Sequence, residues 1–155
     1  MTTRIDMKRR RLLAGILMLP LTAAWAVPTR PLVEVWKDPS CGCCKDWIAH
    51  LEKTGFAVRV HETGNDDARV RFGIPVRFGS CHTASIGGYT IEGHVPARDI
   101  QRLLRDKPKA VGLAVPGMPI GSPGMDGPAY GNRKDPYDVL LVKADGSSTI
   151  YQSYR

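Results

Sequence analysis

The feature that most constrains the fold is a group of three cysteines directly after a strand-like segment. Residues 32–36 (LVEVW) are largely apolar and include residues with a high propensity for β-strands, and the turn-forming segment KDPS follows them. Cys41, Cys43 and Cys44 come next, and then CCKDWIAHLEKTGF has apolar side chains at helical spacing before a glycine ends it. We therefore expect a strand, a turn and a helix whose first turn carries three thiols.

The segments that follow continue an alternation of strands and helices. The patterns predict a strand at 57–63, a short helix in NDDARVRFG with an Asn or Asp cap, and two strands at 80–86 and 89–92. Gly87-Gly88 forms the turn between these two strands, and ARDIQRLLRDKP is a helix. The order βαβα followed by ββα, with a C-x-x-C motif at the first junction, indicates an α/β thioredoxin-like fold.

Two segments are additions to that fold. Residues 110–136 are rich in glycine and proline, so we expect a long loop there and no long helix or central strand. Loops of this length are usually functional or disordered. The last residues, YDVLLVKADGSSTIYQSY, predict a C-terminal β-hairpin with Asp145-Gly146 at its turn.

Residues 1–26 are predicted to be a cleavable signal peptide. A basic run at 8–11 precedes an apolar segment at 12–23, and the small-x-small pattern AWA closes it. The apolar segment is shorter than the roughly 20 residues that span a membrane, and Pro20 interrupts it. We therefore expect export to the periplasm by the Sec or the twin-arginine route. Residues 27–155 would then form one domain without a membrane span.

The charge of the chain does not indicate nucleic-acid binding. The signal peptide contains five Lys or Arg and one Asp, so the formal charge of +7 for the whole chain falls to +3 for residues 27–155. No basic run interleaved with aromatic residues follows. A mildly positive surface is the better interpretation.

The four cysteines favour a redox or metal-binding role over structural disulfides. An oxidising periplasm would allow two disulfides, with three pairings. A disulfide between the adjacent Cys43 and Cys44 would be strained, however, and one between Cys41 and Cys43 would be nearly as strained. Cys41 and Cys44 form a C-x-x-C at a helix start, where the helix dipole lowers cysteine pKa values. Thiol exchange needs two thiols, whereas Cys43 and the distant Cys81 supply the further thiolates that soft metals such as Cu(I), zinc or iron–sulfur centres require.

Four other side chains are candidate ligands. The segment that carries Cys81 is expected to face the helix cysteines. His82 is then either a ligand or supporting group at the site or an ordinary surface or turn histidine. His94 is a further candidate, whereas an ordinary structural role fits His50 and His61. The Gly/Pro loop contains Met118 and Met125, whose thioethers suit Cu(I) and not zinc. The alternative role for both methionines is to pack the loop onto the domain.

These residues and motifs resemble a known family. CGCCKDWIAHLEKTGF, SCHTASIGGYTIEGHVPARDIQRLLRDKP, GLAVPGMPIGSPGM and YDVLLV are similar to the CopG-type periplasmic copper-resistance and metal-binding family, a catalogued domain of unknown function. The resemblance implies a thioredoxin-like fold, export to the periplasm and a role in copper resistance. It also implies a multinuclear copper cluster bridged by cysteines, here Cys41, Cys43, Cys44 and Cys81, and interconversion of Cu(I) and Cu(II).

Three functions remain as alternatives at this point. The first is a periplasmic copper-binding protein, whose partners are copper ions and copper-handling or redox proteins. The second is a thiol–disulfide oxidoreductase that uses Cys41 and Cys44, and the third is a zinc-binding structural module. Without copper, a Cys41–Cys44 disulfide is the expected resting form.

Overall fold

The computed structural model describes residues 30–131 and 133–155, so the signal peptide predicted at 1–26 lies outside the described residues. The elements alternate as the sequence predicts. In chain order they are β1 (Leu32–Lys37), α1 (Gly42–Lys53), β2 (Ala57–His61), α2 (Asp66–Arg71), β3 (His82–Ile86), β4 (Tyr89–Glu92), α3 (Ala97–Asp106), β5 (Gly112–Ala114), β6 (Tyr137–Val142) and β7 (Ser148–Tyr154). Short 3₁₀ turns occur at Val76–Phe78 and Pro128–Tyr130.

The strands form one seven-stranded mixed sheet in the order β2-β1-β3-β4-β5-β6-β7. β1 is parallel to β2 and antiparallel to β3, and β3 is antiparallel to β4. β4 is parallel to β5, and the remaining neighbours are antiparallel. The first four strands, with α1 and α3, make the βαβ and ββα units that the sequence predicts. The α/β class is therefore confirmed, and the arrangement is consistent with a thioredoxin-like core.

The sheet separates two apolar clusters. The larger one joins the inward side chains of β1 to α1 and α3, and includes Trp47, which is fully buried. The smaller one contains Phe78 and Ala114. Leu113 belongs to the larger cluster and its neighbour Ala114 to the smaller one, and successive strand residues point to opposite faces. The two clusters therefore lie on opposite faces of the sheet.

The prediction that residues 110–136 contain no central strand is wrong for three residues. β5 lies inside the sheet, between β4 and β6. Its first residue, Gly112, is so close to β4 that a Cβ atom there would lie 1.7 Å from the carbonyl oxygen of Thr90. The glycine that argued against a strand is therefore what allows these two strands to pair.

The C-terminal hairpin is confirmed, with Gly146 at φ 79° in its turn. It does not stand apart from the core, because β6 pairs with β5 and so extends the main sheet. None of the helices within residues 30–131 and 133–155 combines the length and the apolar character that crossing a membrane requires.

Candidate metal centre

The first turn of α1 presents the three clustered cysteines. Cys41 is the residue before the helix, and its backbone N–H donates to the carbonyl of Asp38 at 3.1 Å. The Asp38 carboxylate accepts from the backbone N–H of Ser40 at 2.8 Å and from its hydroxyl. This turn fixes the approach to the helix, so that Cys43 and Cys44 follow within its first turn. Cys44 is fully buried, whereas Cys41 and Cys43 are partly exposed.

Cys81 reaches the same place from the other half of the chain, and a buried ion pair holds it there. The Nε of Arg69 donates to the Glu92 carboxylate at 2.8 Å, and both side chains are buried. The backbone N–H of Ser80 donates to Glu92 at 2.8 Å, and the carbonyl of Ser80 accepts from Arg69 Nη2 at 2.7 Å. Thr83 donates to the second oxygen of Glu92 at 2.6 Å. Ser80, directly before Cys81, and Thr83, two residues after it, are therefore both bonded to one ion pair.

The four sulfurs meet in one small cluster, all within 4.8 Å of one another. Cys43 Sγ lies 3.6 Å from Cys41 Sγ and 3.8 Å from Cys81 Sγ. Cys44 Sγ lies 3.5 Å from Cys81 Sγ. The expectation that the Cys81 segment faces the helix cysteines agrees with this geometry.

Two of the four sulfurs are covalently joined. Cys41 and Cys44 form a disulfide, while Cys43 and Cys81 are free thiols. This is the pairing expected of the protein without copper. Reduction of this one bond would make all four cysteine sulfurs available to a soft metal.

Two histidines share the Cys81 sulfur. His94 Nε2 lies 3.1 Å from Cys81 Sγ, and His82 Nδ1 lies 3.5 Å from it. Both imidazoles are fully buried, and the His82 ring packs against Trp47 at 4.2 Å between centroids. His82 Nε2 has no hydrogen-bond partner among the described residues. Cys81, His82 and His94 thus form a second group of possible ligands, which shares one sulfur with the first.

Burial sets the protonation of this second group. It lowers the pKa of both His94 and His82, because a buried imidazolium loses its hydration. Burial, together with the neighbouring Cys43 thiol, raises the pKa of Cys81 to about 12. The lowering that a helix start gives to cysteines does not extend to Cys81, which lies outside the helix. Without metal, Cys81 is a thiol and both imidazoles are neutral.

The histidines predict a loss of stability in mild acid. Burial also lowers the pKa of His50, so three imidazoles stay neutral in the folded chain at pH values where the unfolded chain takes up protons. The contribution is complete above the ordinary pKa near 6.5 and is lost as the pH falls below it. We expect the metal-free protein to lose at least about 2 kcal/mol of unfolding free energy between pH 7 and pH 5. Urea titrations at both pH values measure it.

His94→Gln provides the control for this acid effect. The variant should show a smaller difference between pH 7 and pH 5 than the parent protein, because one proton uptake is removed. Equal unfolding free energies of the parent protein at the two pH values would contradict the assignment.

The Gly/Pro loop lies over the cluster and places its two methionines differently. Gly117 N–H donates to the carbonyl of Gly79 at 3.0 Å, next to the Cys81 segment. Gly124 lies against α1, where a Cβ atom would be 2.6 Å from the carbonyl oxygen of Cys43. Met125 follows it and is buried, whereas Met118 is half exposed. Their role as copper ligands stays a prediction.

Sequence reasoning did not identify the ion pair that positions Cys81. From the sequence, Glu92 is predicted only as the end of a strand, and Arg69 only as part of a short helix. One sign was present, since a carboxylate closes the apolar strand YTIE directly before the Gly-His pair. Its partner lies 23 residues away on α2, a distance that local patterns do not bridge.

The chain is similar to two proteins of known structure and matches one family model. Two solved structures described as copper resistance protein CopG, form 2 and form 1, are 45% and 46% identical to this chain, with TM-scores of 0.75 and 0.74. They cover 82% and 81% of this chain, and the alignments span 100% and 98% of theirs. The model of a family described as a protein of unknown function, DUF411, matches residues 78–125. No curated protein matches the chain at a significant level.

The chain belongs to the CopG-type DUF411 family. The DUF411 match begins three residues before Cys81 and ends at Met125, so it includes both buried histidines and the loop over the cluster. The helix cysteines lie before the residues that the family model matches. The family resemblance found in the sequence is thereby confirmed.

Proposed function

We propose that this protein binds copper as Cu(I) through Cys41, Cys43, Cys44 and Cys81, and that it contributes to copper resistance. The observation that carries the proposal is the convergence of four sulfurs within 4.8 Å from two distant parts of the chain. Thiolates are the ligands that select Cu(I). Because one thiolate can bridge two metal ions, four of them this close suit a multinuclear cluster.

The surroundings of the sulfurs support copper over zinc. A structural zinc site would hold one ion in a closed tetrahedron of four ligands. Here His94 and His82 add nitrogen atoms at the Cys81 sulfur, and a buried methionine lies in the loop that covers the cluster. A donor set of thiolates, imidazoles and thioethers is larger than one zinc ion uses, and thioether favours copper.

The cellular setting forms part of the proposal. The leader at residues 1–26 would direct the protein to the periplasm, where copper entering the cell is first met. The solved relatives are described as copper resistance proteins, which supports the same role here. Imidazoles beside thiolates would stabilise Cu(II) as well as Cu(I), and we propose that the site interconverts the two states.

Metal analysis of the purified protein tests this function. After reduction and anaerobic loading with Cu(I), we expect more than one copper per chain and ultraviolet thiolate-to-copper absorption. Excess zinc should not displace the copper. A protein that keeps no copper after gel filtration, or that holds one zinc ion in preference, would overturn the proposal.

A second function is favoured by the disulfide at the start of α1. Cys41 is partly exposed and bonded to Cys44, which is the arrangement of a thiol–disulfide oxidoreductase that acts on protein partners. The double variant Cys43→Ser with Cys81→Ser distinguishes the two functions. An oxidoreductase should retain most of its exchange with a reduced protein substrate, whereas copper loading should collapse. Loss of both activities would exclude an exchange that needs only Cys41 and Cys44.

A further inference from the structure

A lysine is buried at the end of β1, directly before the turn that leads to the helix cysteines. The Lys37 side chain is 2% exposed, although lysine is among the residues that are least often buried. Val33 and Val35 of the same strand belong to the larger apolar cluster, and alternate strand residues share a face. Lys37 therefore lies on the sheet face that α1 covers, at a position where the pattern of the strand predicts an apolar residue.

The pairing of the strands places Lys37 next to the candidate metal centre. Lys37 and His82 are opposite each other in the β1–β3 pair, and the side chains of opposite residues lie on the same face. The His82 ring packs against Trp47 of α1, and its Nδ1 lies 3.5 Å from the Cys81 sulfur. The buried lysine and the His82 imidazole thus occupy the same end of the same sheet face.

The Lys37 ammonium is also joined to the turn that carries Cys41. Its Nζ donates to the Asp38 carbonyl oxygen at 2.9 Å, and the backbone N–H of Cys41 donates to the same oxygen at 3.1 Å. The ammonium nitrogen is therefore no farther from the Cys41 backbone nitrogen than these two hydrogen bonds together. Over such a distance, two charges interact more strongly in a protein than in bulk water.

The charge of Lys37 is only partly balanced in the metal-free protein. An ammonium has three N–H groups, and the described residues supply acceptors for two of them, namely the Asp38 carbonyl and the Glu62 carboxylate at 3.3 Å. The Glu62 side chain is 55% exposed, so water weakens its attraction for the lysine. A buried cation without a buried anion beside it costs stability. Negative charge at the neighbouring sulfur cluster would balance it.

Copper binding would create that negative charge. Four cysteine ligands bind a metal as thiolates and so bring four negative charges, whereas each Cu(I) brings one positive charge. The cluster keeps a net negative charge until it holds as many copper ions as thiolates. Neutral imidazoles of His82 and His94 leave this balance unchanged.

We propose that Lys37 supplies the buried positive charge that balances the copper–thiolate cluster and raises its affinity for the first copper ions. This inference rests on the proposed copper binding. Lys37 acts on the site through its charge and its bond to the Asp38 carbonyl, without contact with the metal, since an ammonium has no lone pair to donate. Its contribution is largest for the first Cu(I), when the net negative charge is largest, and falls as further ions bind.

Lys37→Met tests the charge, because it keeps a long, unbranched side chain. The Asp38 carbonyl still accepts from Cys41, and water solvates the Glu62 carboxylate, so neither group is left buried and unpaired. Replacing a buried charge by an apolar side chain is often neutral or stabilising. We expect the reduced, metal-free variant to have a urea midpoint no lower than that of the parent protein.

The affinity for copper should fall in the same variant. We expect about a tenfold loss for the first Cu(I), measured by competition with a coloured Cu(I) chelator at one copper per chain, and a smaller loss at full loading. A residue with a purely structural role would lower the urea midpoint and weaken every copper ion alike. An affinity for the first Cu(I) within about twofold of the parent protein would overturn the proposal.

Lys45→Met is the matched control for the change of charge. Lys45 directly follows Cys44, but its side chain is exposed, so water and salt screen its charge. Its affinity for the first Cu(I) should stay within about twofold of the parent protein. Equal losses in the two lysine variants would contradict a special role for the buried charge.

Glu62→Gln separates the charge from the ion pair. It breaks the same pair and leaves the Lys37 charge in place, and its exposed position makes it a test that stands even if Lys37→Met unfolds. We expect the affinity for the first Cu(I) to equal that of the parent protein or to exceed it by up to about threefold, because a competing anion is removed. A fall in affinity would overturn the proposal. A parent protein that binds no Cu(I) would overturn the proposed function itself, whereas the other contrary outcomes leave that function standing.

Discussion

Glu92→Ala is expected to destabilise the protein by about 3–5 kcal/mol, because it leaves the buried Arg69 guanidinium without its partner. The carboxylate also accepts from Ser80 and Thr83, so two further donors lose their acceptor. A loss of this size lowers the melting temperature by about 10–20 °C in a domain of this length. Chemical denaturation and thermal unfolding of the reduced, metal-free protein both measure it.

Asp66→Ala is the matched control for Glu92. Asp66 pairs with the same guanidinium at 2.7 Å, but its side chain is 91% exposed. Exposed pairs contribute little, and we expect a loss below about 1 kcal/mol. If the two variants were equally stable, the buried ion pair would not be the element that fixes the Cys81 segment.

Cys81→Ser is expected to lower the affinity for Cu(I) by about 100-fold or more. Changing even an outer partner of a metal site costs about 10–100-fold, and this change removes a thiolate that faces two cysteines and two histidines. A hydroxyl is a hard, protonated ligand and does not replace a thiolate at Cu(I). Competition with a coloured Cu(I) chelator under anaerobic conditions gives the affinity.

His61→Gln serves as the control for copper bound outside the site. His61 lies on β2, stacked on Trp36, away from the cluster. Its loss should leave the affinity within about twofold of the parent protein, since surface histidines bind copper weakly and singly. An unchanged affinity in the Cys81 variant would mean that the three helix cysteines alone hold the metal.

The parts of the structure that depend on local sequence patterns could be predicted correctly. The helix start at Cys41 follows from a strand, a turn and helical spacing, and each is visible within twenty residues. The approach of Cys81 to that helix follows from the predicted thioredoxin-like layout, in which a later segment of the chain loops back beside the cysteine motif. His94 was a candidate for chemical reasons alone.

The rest depended on contacts that local patterns do not contain. The sequence predicts an Asn or Asp cap for α2, and Asn65 does occupy the N-cap position. Its side chain makes no capping hydrogen bond, however, and donates instead to the carbonyl of Ser80 at 3.2 Å. Gly112 looked like a strand breaker, although close approach of two backbones requires it. In both cases the residue type suggests a local role, as a helix cap or a strand breaker. The contact that explains the residue is made with a segment distant in sequence, and it is visible only in the folded structure.

The division of the site between two parts of the chain links copper to folding. Three of the four sulfurs lie within four residues, so an unfolded chain would retain a large share of their affinity for copper. A ligand stabilises a fold only by the difference between its affinities for the folded and unfolded chains. The stabilisation that copper gives would therefore measure what Cys81 and its two histidines add, and not the total strength with which the ion is bound.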